Sequence, residues 1–153
     1  MIGEPDARAA VTFVGTDRIE ILRFPDPAHG LVHYATPSPA LLLTLRADRA
    51  DTDGVVRQLA VIAASPQVEG VRLEPGAALE LGAPLWPGAP FTAVLVDAGD
   101  AAGSHLLLLP MTPAEAAWRR ARGTPALREA WRRHGTDLRD PVRASVPLTP
   151  LTE

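Results

Sequence analysis

A chain of 153 residues with 46% hydrophobic content is long enough to bury a core unaided, and wholesale disorder is excluded. There is no cysteine, which removes disulfides, thiolate nucleophiles and cysteine-ligated zinc or iron–sulfur centres. The net charge is −3, against the footprint of a dedicated phosphate-backbone binder, and arginine replaces lysine throughout, so Schiff-base and Walker-lysine chemistry are impossible.

In chain order, the opening MIGEPDARAAV has no signal-peptide pattern, and no apolar run reaches the roughly 20 residues of a membrane helix. A cytoplasmic protein is therefore expected. VTFVG (11–15) and RIEILRF (18–24) read as a hairpin across Gly15-Thr16-Asp17, the second strand alternating with Ile19 and Ile21 on one face. PDPAHG (25–30) is turn chemistry, and LVHYAT (31–36) reads as a third strand. ALLLTLRA (40–47), apolar on both faces, reads as a central fourth strand.

Val55, Val56, Leu59, Ile62 and Ala63 recur at helical spacing, with Asp51 or Thr52 as cap and Ser65-Pro66 as the end. Residues 70–90, rich in Gly and Pro, predict short strands joined by tight turns. FTAVLVD (91–97) and SHLLLLP (104–110) predict two more, linked by a flexible AGDAAG. Thr112-Pro113-Ala114-Glu115 is a capping box with proline at the first helical position. A second helix restarts after Gly123, with Gly135 as its C-cap, and an irregular tail begins at about 136. The order predicts one α+β domain over 1–153. Its mixed, largely antiparallel sheet carries one mid-chain helix and two packed C-terminal helices.

Catalytic and metal signatures are weak. His29 and His33 lie in a turn and a strand, and neither Glu-x-x-His nor His-Glu-x-x-His is present, so two structural histidines outweigh a metal site. No serine sits in Gly-x-Ser-x-Gly. Asp48, Asp51 and Asp53 precede a helix, where carboxylates complement the macrodipole. No catalytic residue, cofactor or metal is assigned. The arginines of WRRARGTPALREAWRRHG could meet phosphates, which makes a nucleic-acid-associated regulator the alternative reading; a solvated helix face or an acidic protein partner explains them more simply.

LVHYAT, LLLTLRADRADTDGVVRQLAVIAASP, LEPGAALELGAPLWPGAPFTAVLV, LLLLPMTPAEAAW, GTPALREAW and DLRDPVRASVPL, in this order, resemble the suppressor of fused domain family in its bacterial, particularly actinobacterial, form. The resemblance implies a non-enzymatic protein-binding domain. For bacterial members it implies an immunity protein that neutralises a cognate toxin by strand addition or surface complementarity. Where relatives follow Tyr-x-Thr with Gly-Met-Ser and a polar loop, Pro37-Ser38-Pro39 here runs straight into Ala40, and the loop after Val96 is short. Trp86, between prolines on a turn, is the candidate exposed anchor for a partner, with Tyr34, Arg119 and Arg122 as further contacts. A monomer without membrane attachment is expected.

Overall fold

The computed structural model describes residues 3–99 and 105–148. Its elements are β1 (Ala7–Val11), β2 (Ile19–Asp26), β3 (Leu31–Pro37), β4 (Ala40–Arg46), α1 (Val55–Glu69), β5 (Ala78–Glu80), β6 (Ala93–Asp97), β7 (Leu106–Met111), α2 (Pro113–Arg122) and α3 (Thr124–Arg133). The strands form one seven-stranded sheet in the order β1-β2-β3-β4-β7-β6-β5. The β4–β7 pair is parallel and the other pairs are antiparallel, so the expected α+β class with a mixed, largely antiparallel sheet is what the chain adopts.

Several boundaries differ from expectation for identifiable reasons. The first strand is Ala7–Val11, not 11–15. Phe13 and Thr16 instead close a turn, the Phe13 amide donating to Thr16 Oγ1 at 3.1 Å, with Gly15 at φ 83°. The expected caps do not cap α1. Gly54 occupies that position because Thr52 is drawn into a side-chain network, and Gly54 lies against Pro87, where a Cβ would meet Cδ at 2.6 Å. The helix also passes through Pro66. Proline cannot donate to the Ile62 carbonyl, and the Ser65 hydroxyl does so at 2.7 Å, so the helix ends only at the left-handed Gly70, φ 70°.

Of the short strands expected over 70–90, only β5 forms among the described residues. His134, not Gly135, is the C-cap of α3. The hairpin at Pro37–Ala40 is tight, with a cis Ser38–Pro39 bond and Thr36 Oγ1 donating to the Pro39 carbonyl at 2.5 Å. The linker after Gly99 and the residue opening the expected 104–110 strand lie outside the described residues.

Strand alternation and register sort the side chains into two layers. Ile19, Ile21, Val32, Tyr34, Leu41, Leu43, Leu45, Val94, Val96 and Leu108 face α1 and form the main core with Leu59, Ile62 and Phe91. The opposite face holds a second cluster only over β6 and β7, where Ala93, Leu95 and Met111 pack against Ala116, Leu127, Trp131 and Val146. Helices α2 and α3 and the tail cover that half. Among the described residues, no helix covers the half made by β2, β3 and β4.

Candidate protein-binding surface

The uncovered half-face follows from register. Leu22 of β2 lies opposite Ala35, Ala35 opposite Leu42, and Leu42 beside Leu107 of β7. An apolar row thus crosses the sheet centre, and Leu22, Leu42 and Leu107 remain partly exposed. The next row is Phe24, His33 and Thr44. Beside these rows the tail residues Leu138 and Arg139 close a groove of about 390 Å³, walled by Leu31, Leu42, Leu107 and Leu109. The Arg46 amide donates to the Arg139 carbonyl at 2.8 Å, fixing the tail along the end of β4, and Arg46 Nε meets Asp137 at 2.5 Å.

The tail is held by a buried ion pair. Glu115 serves the α2 cap, its Oε1 accepting the Thr112 amide at 3.0 Å, and the same carboxylate receives both terminal nitrogens of Arg143 at 2.7 and 2.9 Å. The Val146 amide and the Trp131 indole donate to Oε2 at 2.9 and 3.3 Å. Burial works against this charge, but Arg143 and the two backbone donors outweigh it and hold the carboxyl below its ordinary value. The guanidinium lies 5.0 Å from the Phe91 ring centroid and 5.9 Å from that of Trp131.

The residues expected to touch a partner do not converge. Trp86 is 3% exposed, not an exposed anchor. Its ring meets Phe91 edge-on at 5.8 Å in the main core, because the turn closed by Ala89 donating to the Trp86 carbonyl folds it inward. Tyr34 is also buried. Its hydroxyl donates to Asp53 Oδ1 at 2.6 Å and lies 2.8 Å from Thr52 Oγ1. Burial, then the Asp53 hydrogen bond, push this phenol up to about 12. Arg23 Nε joins at 3.0 Å, tying β2, β3 and the start of α1 together.

Arg119 points inward, donating to the Gly76 carbonyl at 2.9 Å and to Thr124 Oγ1 at 3.0 Å. Arg122 is exposed and stacks over Trp118 at 5.3 Å. Arg120 pairs with Glu80, Arg128 with Asp97 and Arg132 with Glu129. These three arginines are paired within the molecule, whereas Arg122 and Arg133 form no ion pair among the described residues.

Of the two histidines weighed as metal ligands, His33 lines the groove and His29 lies in the turn after β2. His33 Nδ1 lies 2.8 Å from Thr44 Oγ1 and its Nε2 lies 3.5 Å from Asp26 Oδ2, while exposed His29 meets Asp26 Oδ1 at 2.9 Å. The His29 hydrogen bond, against some burial, holds the Asp26 carboxyl below its ordinary value. Among the described residues no group of three or more His, Asp or Glu side chains is arranged to hold a metal ion. None of their helices is long and apolar enough to cross a membrane. Sequence reasoning missed the groove because Leu42 and Leu107 look like residues buried on both faces, and periodicity does not reveal which face a later segment covers.

The comparisons with known proteins agree with this architecture. A bacterial suppressor of fused homologue from Neisseria gonorrhoeae FA 1090 superposes with a TM-score of 0.72 at 15% identity, over 94% of this chain and 90% of that one. The crystal structure of a Sufu–Fu complex gives 0.59 at 11% identity, over 94% of this chain and 85% of that one. At such identities the likeness is one of fold. No curated protein sequence matches the chain. The family model for suppressor of fused protein matches residues 41–144, from the first buried leucine of β4 to the residue after Arg143. The chain belongs to the suppressor of fused (SUFU) family.

Proposed function

We propose that this protein is a non-enzymatic protein-binding module whose partner seats on the open half of the sheet. The observation that carries this reading is the apolar row Leu22, Ala35, Leu42 and Leu107, which crosses the sheet centre without, among the described residues, the helical cover that the other half has. An antiparallel sheet can leave one face to water, but that face is then ordinarily polar, and an apolar face beside a groove is where association gains most from releasing water. Family membership supports it, as does the complex with Fu formed by a structurally similar Sufu.

The polar groups near the groove also suit binding better than catalysis. His33 is engaged with Thr44 and faces Asp26, and the Tyr34 phenol is turned to Asp53 on the other side of the sheet. Within this reading the protein acts in the cytoplasm as a monomer, and its partner is a cognate bacterial toxin, the role that the resemblance to bacterial relatives implies. The exposed edge strand β1 offers a second contact by strand addition.

Affinity purification from the native host, with the intact protein as bait, tests the reading. One stoichiometric protein partner is expected, encoded beside this gene if the partner is a toxin. Recovery of no such partner, or of nucleic acid in its place, would refute it.

A further inference from the structure

The groove lies where β4 and β7 part. The two strands pair only at Leu41 with Leu106 and Leu42 with Leu107, although β4 runs on to Arg46 and β7 to Met111. Beyond that point the tail lies beside β4 in place of β7, through the bond from the Arg46 amide to the Arg139 carbonyl. The residues that do this, 137–140, form a self-contained turn. The Asp140 amide donates to the Asp137 carbonyl at 3.1 Å, the Arg139 amide to Asp137 Oδ1 at 3.1 Å, and the Val142 amide to Asp140 Oδ1 at 3.0 Å. None of these three bonds involves the sheet.

The chain on either side of the turn is held much harder. Before it, the Thr136 amide donates to the Trp131 carbonyl at the end of α3; after it come buried Pro141 and the Arg143–Glu115 pair. Between these anchors the turn grips the sheet by the one main-chain bond, by partly buried Leu138, and by two ion pairs. These are Asp137 with Arg46 and Asp140 with Arg49, whose arginine side chains are 40% and 50% exposed. Ion pairs so open to water contribute little.

We infer that residues 137–140 are a strap that lifts from β4 as a unit, and that the partner engages the lifted form. The second part rests on the protein-binding reading; the first does not. Lifting breaks one main-chain bond and two screened ion pairs and keeps the three bonds inside the turn, whereas releasing the far anchor would unpair a buried charge. An opening of such low cost is separate from global unfolding. It frees the Arg46 amide and opens the groove at the end where Leu138 and Arg139 now wall it. A partner seated along β4 gains that donor and that length only when the strap is up.

Native-state hydrogen exchange, followed by NMR, tests the strap on the protein alone. Neighbouring amides give the control: Arg46 donates to the strap, and Ala47 donates to the Gly30 carbonyl on the other side of β4. The Arg46 amide is expected to exchange at least about tenfold faster than the Ala47 amide, each relative to its unfolded rate. Its rate should depend little on urea, because little surface is exposed by lifting. Equal protection of the two amides, whether from fraying of β4 or from global unfolding alone, would overturn the strap. Asp137→Asn combined with Asp140→Asn keeps both side-chain acceptors of the turn and removes both ion pairs. It should speed Arg46 exchange by about threefold to tenfold and leave Ala47 unchanged; an unchanged Arg46 rate would likewise overturn the strap. With the purified partner, the same double variant should bind more tightly by the same factor, because a scarce lifted form lowers affinity in proportion to its population. Unchanged or weaker binding would overturn the partner's preference for the lifted form. If affinity purification recovers no partner, the protein-binding reading fails and that preference with it, while exchange alone decides the strap.

Discussion

Replacing Arg143 by methionine tests how the tail is held against the sheet. Methionine keeps much of the packing over Phe91 and Trp131 but removes both hydrogen bonds to Glu115, whose carboxylate is fully buried. The carboxylate would retain the Thr112 and Val146 amides and the Trp131 indole, and would lose its counter-charge. Breaking a buried pair from one side costs about 3–5 kcal/mol. That is a large share of the roughly 5–15 kcal/mol by which a domain is stable, and corresponds to a fall in Tm of about 10 °C. Urea unfolding of Arg143→Met, Glu115→Gln and the double variant measures it. Each single variant is expected to be strongly destabilised, and the double variant much less than their sum, because the partner left behind is then neutral.

The pH dependence has a definite sign. Glu115 has a folded pKa below its ordinary 4.5, so the stability it contributes is present above that pH and is lost as pH falls through the folded value. Arg143→Met should flatten this acid limb. Single variants costing under about 1 kcal/mol, or strictly additive effects, would refute the assignment of the pair as the clamp on the tail.

Tyr34 is the only tyrosine, so phenolate absorbance reads it directly; the native protein should titrate near 12, against about 10 after unfolding. Stability drawn from this group is present below pH 10 and declines as pH rises toward 12, and titration of the native protein near 10 would contradict the buried Tyr34–Asp53 bond. Gly54→Ala places a methyl 2.6 Å from Pro87 Cδ and should cost about 1–3 kcal/mol by thermal melt, with a change in Trp86 fluorescence. Trp86→Ala should cost about 3–5 kcal/mol in urea unfolding as a core deletion, whereas Arg122→Ala, on the surface over Trp118, should stay within about 1 kcal/mol. Near-neutral behaviour of Trp86→Ala would restore that ring as a surface anchor.

Local chemistry was legible wherever the determinant is local. The Thr112–Glu115 capping box stands as its four residues require, because each of its bonds spans three residues. β2, β3 and β4 fall close to their alternating or apolar runs, and the strands-helix-strands-helices order implied the α+β class. Local rules failed where two of them competed. The apolar Phe13 and Val14 sit in a turn that Gly15 and Thr16 make easy, and Pro66 did not stop α1 because a neighbouring serine supplied the missing donor.

What only the tertiary structure decided is which apolar surface would be covered. Leu42 and Leu95 look alike in sequence, yet Leu95 lies under the cluster of α2, α3 and the tail while Leu42 opens into a groove. Trp86 and Tyr34 have the residue types of partner contacts, yet both lie in the core. Arg119 and Arg143 look like the other arginines and are held within the fold. The physical reason is that propensity, capping and alternation act over a few residues, whereas cover and charge pairing come from segments far apart in the chain. Glu115 and Arg143, separated by 28 positions, leave no periodic trace of their bond, and it is that bond which fixes the tail beside the open half of the sheet.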